Sequence, residues 1–67
     1  MTKHIYFAEG ITTVGGRKFY GECVSDDIIK AIQMFRNHED RMSVHLIERR
    51  EQVSADKNTG IVFVRKF

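Results

Sequence analysis

The side chains best suited to metal binding or nucleophilic chemistry are His4, His38, His45 and Cys23, and they are scattered along the chain. No two of them stand at the CxxC or HxxxH spacing that puts paired ligands on one face of a turn or helix. They read as surface or packing residues, and neither a metal nor a cofactor is expected. A Cys23–His45 couple would supply a nucleophile and its base. Strand alternation, however, assigns Cys23 to the apolar side and His45 to the other, so Cys23 is expected to be a buried, inert thiol. Asp26 and Asp27 are adjacent carboxylates, but neighbouring residues at a helix start point in different directions, and both are better suited to complementing the positive helix end. Gly15-Gly16 lacks the GxxxxGK[ST] pattern and precedes a strand, whereas a phosphate cradle needs a helix N-terminus. No catalytic residue emerges, and the chain is read as non-enzymatic.

Length reinforces that reading. A chain of 67 residues makes one domain, expected over 1–67, and a domain near this size buries only about 60% of the surface its unfolded chain exposes. An enclosed substrate cleft would consume much of so thin a core. Apolar residues make up 42% of the chain and charged residues 30%, which favours a packed globule over disorder. Eleven Lys and Arg stand against nine Asp and Glu, a net charge of +2, and the signs are interleaved, as in Glu48-Arg49-Arg50-Glu51. No basic run of the nucleic-acid-tail type occurs. A single cysteine excludes an intrachain disulfide and fits a reducing compartment, so the cytoplasm is the expected location. The Met-Thr-Lys-His-Ile start carries no apolar h-region, and neither secretion nor membrane insertion is expected.

The elements that must position these residues follow from their patterning. Residues 4–13 (HIYFAEGITT) read as a strand, Val14-Gly15-Gly16 as a tight turn, and Arg17 to Val24 as the returning strand, with Gly21 marking a bulge or close packing. Ser25-Asp26-Asp27 announces a helix beginning near Asp26 and running to about His38. Its apolar stripe is Ile28, Ala31, Ile32 and Phe35, with Ile29 on the shoulder and Met34 near the polar side. Glu39-Asp40-Arg41 is a polar connection. Met42 to Val53 is a third strand with Met42, Val44 and Leu46 apolar and a solvated second half. Asp56 to Gly60 is a strong turn signal, and Ile61 to Phe67 is the most strand-like segment of the chain.

The expected fold class is therefore α+β, in β-β-α-β-β order, with one helix on one face of a four-stranded sheet. Two hairpins joined by a helix are satisfied most simply with the terminal strands side by side, in order 2-1-4-3. In that layout the chain resembles the β-grasp domains typified by the immunoglobulin-binding domains of streptococcal protein G. The likeness lies in the order of elements and implies a fold only.

One helix covers one sheet face. The more apolar set, Ile5, Phe7, Phe19, Cys23, Val44, Leu46, Ile61, Phe63 and Phe67, is expected beneath it. His4, Tyr6, Ala8, Tyr20, Val24, His45, Ile47, Val62 and Val64 are left on the uncovered side. A face with tyrosines among β-branched residues suits a partner, and the expected contact residues are Tyr6, Tyr20, His45 and Ile47, with Arg17, Lys18 and Arg49 at the edges. Tyr6 and Tyr20 near Arg17, Lys18 and Lys66 also have the makings of a platform for single-stranded bases, although no RNP-like run, GxxG or helix-turn-helix accompanies them.

The plan of a strand, the capped helix SDDIIKAIQMF and a hairpin begun by MSVHLIERRE is similar to that of several phage-encoded host-takeover and anti-CRISPR proteins. That resemblance implies a small, non-catalytic, stoichiometric inhibitor or regulator of a larger protein or ribonucleoprotein complex, acting in the host cytoplasm as a monomer or homodimer. The alternative is a small nucleic-acid-binding module using the open sheet face directly.

Overall fold

The computed structural model describes residues 2–38 and 41–67. Its elements are β1 (Lys3–Thr12), β2 (Lys18–Ser25), α1 (Ile28–Arg36), β3 (Met42–Val53) and β4 (Gly60–Lys66), in the expected β-β-α-β-β order. The four strands form one antiparallel sheet with the helix against one face, which makes this a small α+β fold. The β1–β2 hairpin turns through Gly15 and Gly16, whose φ angles of 87° and 59° are open to glycine at little cost. The connection expected at Glu39-Asp40 lies outside the described residues.

The strand order is β3-β1-β2-β4, not 2-1-4-3, so the β-grasp layout is not adopted. The first hairpin occupies the centre, β3 adds to β1, β4 adds to β2, and no second hairpin forms. The Asp56–Gly60 turn is instead part of a link that passes from one edge of the sheet to the other. Crossing three strand spacings of about 4.8 Å requires roughly 14 Å, well within the reach of residues 54–59 at up to about 3.3 Å each. Lys3 Nζ donates to the Lys57 carbonyl at 2.7 Å and ties this link to the start of β1. Sequence patterning marks where such a segment bends but not which neighbours it joins.

The helix begins one residue after its cap. Asp27 Oδ1 accepts from the Lys30 amide at 2.7 Å, while Ser25, the expected cap, uses its Oγ to donate to the Asp27 carbonyl at 2.9 Å. Asp26 instead pairs with Lys30 Nζ at 3.2 Å. Ala31 and Phe35 are the fully buried helix residues, whereas Ile32, expected in the stripe, is only half-buried and lines a groove with Met42 and Val44. Met34, expected near the polar side, packs against the core. Ile28 keeps the phase of the stripe but is exposed, because it is the first helical residue.

Beneath the helix the central strands carry small residues: Ala8, Gly10, Gly21 and Cys23 are all buried. The Phe35 ring stacks on Phe19 with centroids 6.0 Å apart. A methyl group at Gly21 would lie 3.3 Å from Phe35 Cε1 and 2.5 Å from the Phe63 carbonyl oxygen, and one at Gly10 would collide with the Ser43 backbone. Tyr6 and Met42 close the core at its ends.

Bulges determine which residues reach this floor. On β3 an extra residue, His45, falls between Leu46 (opposite Glu9) and Val44 (opposite Gly10). On β4 the extra residue is Val62, between Phe63 (opposite Glu22) and Ile61 (opposite Cys23). Each bulge shifts the alternation by one. Val44 and Ile47, and likewise Ile61 and Val64, therefore pack against the core. Leu46, Phe63 and Phe67 turn to the uncovered face, contrary to expectation. On β1 the assignment inverts outright: Tyr6 and Ala8 lie under the helix and Ile5 and Phe7 do not. Of the expected core set, Phe19, Cys23, Val44 and Ile61 stay on the helix side.

Truncating Phe35 to Ala should cost about 3–5 kcal/mol, a large share of the roughly 3–10 kcal/mol available to a domain of this length. Gly21→Ala should also destabilise, because its neighbour is backbone. Urea denaturation of both variants measures this; an unchanged midpoint for Phe35→Ala would contradict the close seating of the helix, and one for Gly21→Ala the close approach of the β4 backbone.

Candidate binding surface

The uncovered face is organised in rows across the sheet. One row runs Glu48, Phe7, Glu22, Phe63 and the next runs Leu46, Glu9, Tyr20, Arg65. Beyond them Ser43, Ile11 and Lys18 stand beside Phe67, whose amide donates to the Lys18 carbonyl at 2.9 Å. Tyr20 is the hub. Its ring lies 6.3 Å from Phe7, 6.1 Å from Phe63 edge-on and 5.3 Å from Phe67, all within the range of attractive ring contacts. No helix covers these rings: Phe7, Tyr20 and Phe63 are half-buried by one another and Phe67 is 69% exposed.

Arg50 clamps the other end of the cluster. Its guanidinium carbon sits 4.3 Å above the Phe7 ring centre, Nε is 3.0 Å from Glu48 Oε1, and Nη1 is 3.4 Å from Glu22 Oε2. Such exposed ion pairs are worth roughly 0–1 kcal/mol each, so their effect is to hold the planar group flat on the ring rather than to stabilise the fold.

The seven residues expected at a contact surface divide between two sides. Tyr20 and Lys18 lie on the uncovered face, and His45 projects from its bulge beside them; together with Glu9, Leu46 and Phe67 they line a shallow cleft of about 320 Å³. Arg17 is exposed and its Nε donates to the Phe67 carbonyl at 2.8 Å, which places it at the rim. Tyr6 is only 3% exposed and Ile47 packs against the core, so neither is available on that face. Arg49 pairs with Tyr6 in register and therefore stands on the helix side of the sheet edge. His4, also expected on the open face, shares the side of Tyr6, its ring 6.3 Å away. Sequence reading missed Phe7, Phe63, Phe67, Glu22 and Arg50. The available signal was the phase of β1 and β2 carrying Ala8, Gly10 and Gly21: a helix approaches closely only where side chains are small.

Among the described residues, no three of the His, Cys, Asp and Glu side chains converge as a metal site. Cys23 is fully buried under the helix, two strands from His45. Burial pushes its thiol up to about 11 from 9.0. No described helix is long and apolar enough to cross a membrane. No family model, curated protein or solved structure matches the chain.

The buried thiol yields two expected outcomes. Native Cys23 should react with a thiol reagent orders of magnitude more slowly than the urea-unfolded chain, because the thiolate is the nucleophile and is scarce and enclosed; equal rates would contradict its placement. A folded pKa raised above the unfolded one contributes stability that is complete below pH 9 and is lost as pH rises toward about 11. The stability gap between the wild type and Cys23→Ala should therefore narrow over that window, as read from denaturant midpoints.

Proposed function

We propose that this chain is a non-catalytic binding protein whose uncovered sheet face, centred on Tyr20, is its contact surface. The observation that carries this reading is the ring cluster of Phe7, Tyr20, Phe63 and Phe67, left without a helix and framed by charges of both signs. Aromatic residues with Arg at the centre of a patch are the types that most often dominate binding energy. Glu9, Glu22 and Glu48 balance Lys18, Arg50 and Arg65 on this face. A surface neutral in sum but patterned in sign suits a protein partner, where complementary pairs set orientation. The finer reading follows the resemblance drawn from the sequence: a stoichiometric inhibitor or regulator of a larger protein or ribonucleoprotein complex in a bacterial cytoplasm, of the phage-encoded anti-CRISPR kind.

The second reading, direct binding of single-stranded nucleic acid, draws on the same rings as stacking platforms. It is weakened by Glu9, Glu22 and Glu48, which would repel the phosphates that Lys18, Arg50 and Arg65 attract.

Capture of a partner from a bacterial lysate, followed by titration of that purified partner, tests the first reading. Tyr20→Ala and Arg50→Glu, each confirmed folded by circular dichroism, should weaken binding at least tenfold, a loss of about 1.4 kcal/mol or more. Undiminished binding by both would place the contact elsewhere, around Lys30, Gln33 and Asn37 of the helix. Fluorescence anisotropy with single-stranded oligonucleotides tests the second. Tight binding that falls steeply between low and moderate salt, through counterion release, would favour nucleic acid over protein.

A further inference from the structure

The shallow cleft on the open face lies over the Gly10–Phe19 pair. Phe19 is turned to the helix and Gly10 has no side chain, so only backbone forms the floor of this space of about 320 Å³. Four residues stand around the floor: Glu9 opposite Tyr20 at one end, and Ile11 opposite Lys18 at the other. Tyr20 and Ile11 make an apolar diagonal, which Phe67, 69% exposed, and Leu46, 46% exposed, extend as walls. Glu9 and Lys18 make the polar diagonal. Diagonal neighbours on antiparallel strands stand about 7–8 Å apart, and neither side chain takes part in an ion pair among the described residues. Glu22 and Glu48, the other carboxylates of this face, are both engaged by Arg50. Glu9 is thus the acceptor on this face that no cation of the chain occupies. The volume lies at the lower end for a ligand pocket, and it suits a single large side chain.

We infer that this cleft is the anchor of the contact surface and receives one aromatic side chain bearing a hydrogen-bond donor, a tryptophan or a tyrosine, from a protein partner. This rests on the reading of the open face as that surface. Chemistry at the two diagonals selects the occupant. An incoming ring extends the cluster of Tyr20 and Phe67 by the same ring contacts that build it. Its N–H or O–H donates to the Glu9 carboxylate, a charge-assisted bond, while the Lys18 stem lies along the ring and its ammonium is drawn to the ring face. An aliphatic side chain would take water from Glu9 and return no donor, which costs free energy. A cationic side chain would meet Lys18, and also Arg65 opposite Tyr20. A carboxylate would meet Glu9. A neutral ring with a donor satisfies all of these neighbours, and Trp and Tyr are among the side chains that most often dominate an interface.

Titration of the full chain with N-acetyl-tryptophanamide, followed by amide NMR shifts, tests the anchor. Binding should occur with a dissociation constant of roughly 1 mM, the scale open to a ligand of this size, and the largest shifts should fall at Gly10, Lys18, Tyr20 and Leu46. The analogue methylated on the indole nitrogen should bind about threefold more weakly and N-acetyl-leucinamide about tenfold more weakly. Glu9→Ala, confirmed folded by circular dichroism, should bind the two indoles alike. Leucinamide binding as tightly as the indole, shifts centred elsewhere, or a preference for the N–H that survives Glu9→Ala would each overturn the anchor. The wider reading is tested separately with the purified partner. Loss of the partner on Tyr20→Ala, with a cleft that takes no indole, would overturn the anchor and leave the contact surface standing. A cleft that takes the indole, with partner affinity unchanged by Tyr20→Ala and by Leu46→Lys, would overturn both.

Discussion

The seating of Phe35 against the bare backbone of Gly21 sets the terms for the rest of the molecule. A nine-residue helix has few turns with which to bury apolar surface, so the sheet must come close to it. That requires the central strands to present Ala8, Gly10, Gly21 and Cys23 on one face. With alternation fixed by the pleat, Phe7, Ile11 and Tyr20, which alternate with these positions, have only the opposite face to occupy, while Tyr6 and Phe19 share the helix side and fill the core around the small residues. The aromatic surface is thus a by-product of close helix packing.

Much of the fold could be read from residue order. The Gly15-Gly16 turn, the helix signal at Ser25-Asp26-Asp27 and the span of β3 all follow from local chemistry, and local chemistry is what sequence patterns record. The strand order could not be read this way, because the link over residues 54–59 serves equally well as a hairpin turn or a crossing. The faces were misread for two distinct reasons. On β1, hydrophobicity favoured Ile5 and Phe7 for the interior, whereas the helix selected the smaller phase. On β3 and β4, strict alternation was carried through His45 and Val62, where an extra residue reverses it. Tyr20 and Lys18 were placed on the correct side because no bulge interrupts β2 beside them, while Tyr6 followed the inverted phase of β1.

The electrostatics of the open face differ from what the net charge suggests. A chain with a net charge of +2 invites thoughts of a basic patch, yet its rows alternate carboxylates with cations around the rings. Glu22, at the centre of the sheet, is tied to Arg50 across β1, so the face has a fixed charge pattern rather than a broad field. Orientation of a partner would depend on short-range pairing more than on long-range attraction, which an 8–10 Å screening length would in any case attenuate.

The bulges of β3 have a further consequence, for uniqueness of register. A regular strand can slide past its neighbour by two residues without changing which side chains face which way, so a long, charge-rich edge strand is poorly anchored along its own axis. In β3 the extra residue at His45 must lie where Gly10 allows the Ser43 backbone to come close, and the second must lie beside Ile5. A two-residue slide would move both irregularities to positions on β1 that have no glycine to receive the first. The bulges therefore give twelve residues a single alignment against β1, and with it a single position for Arg50 above Phe7.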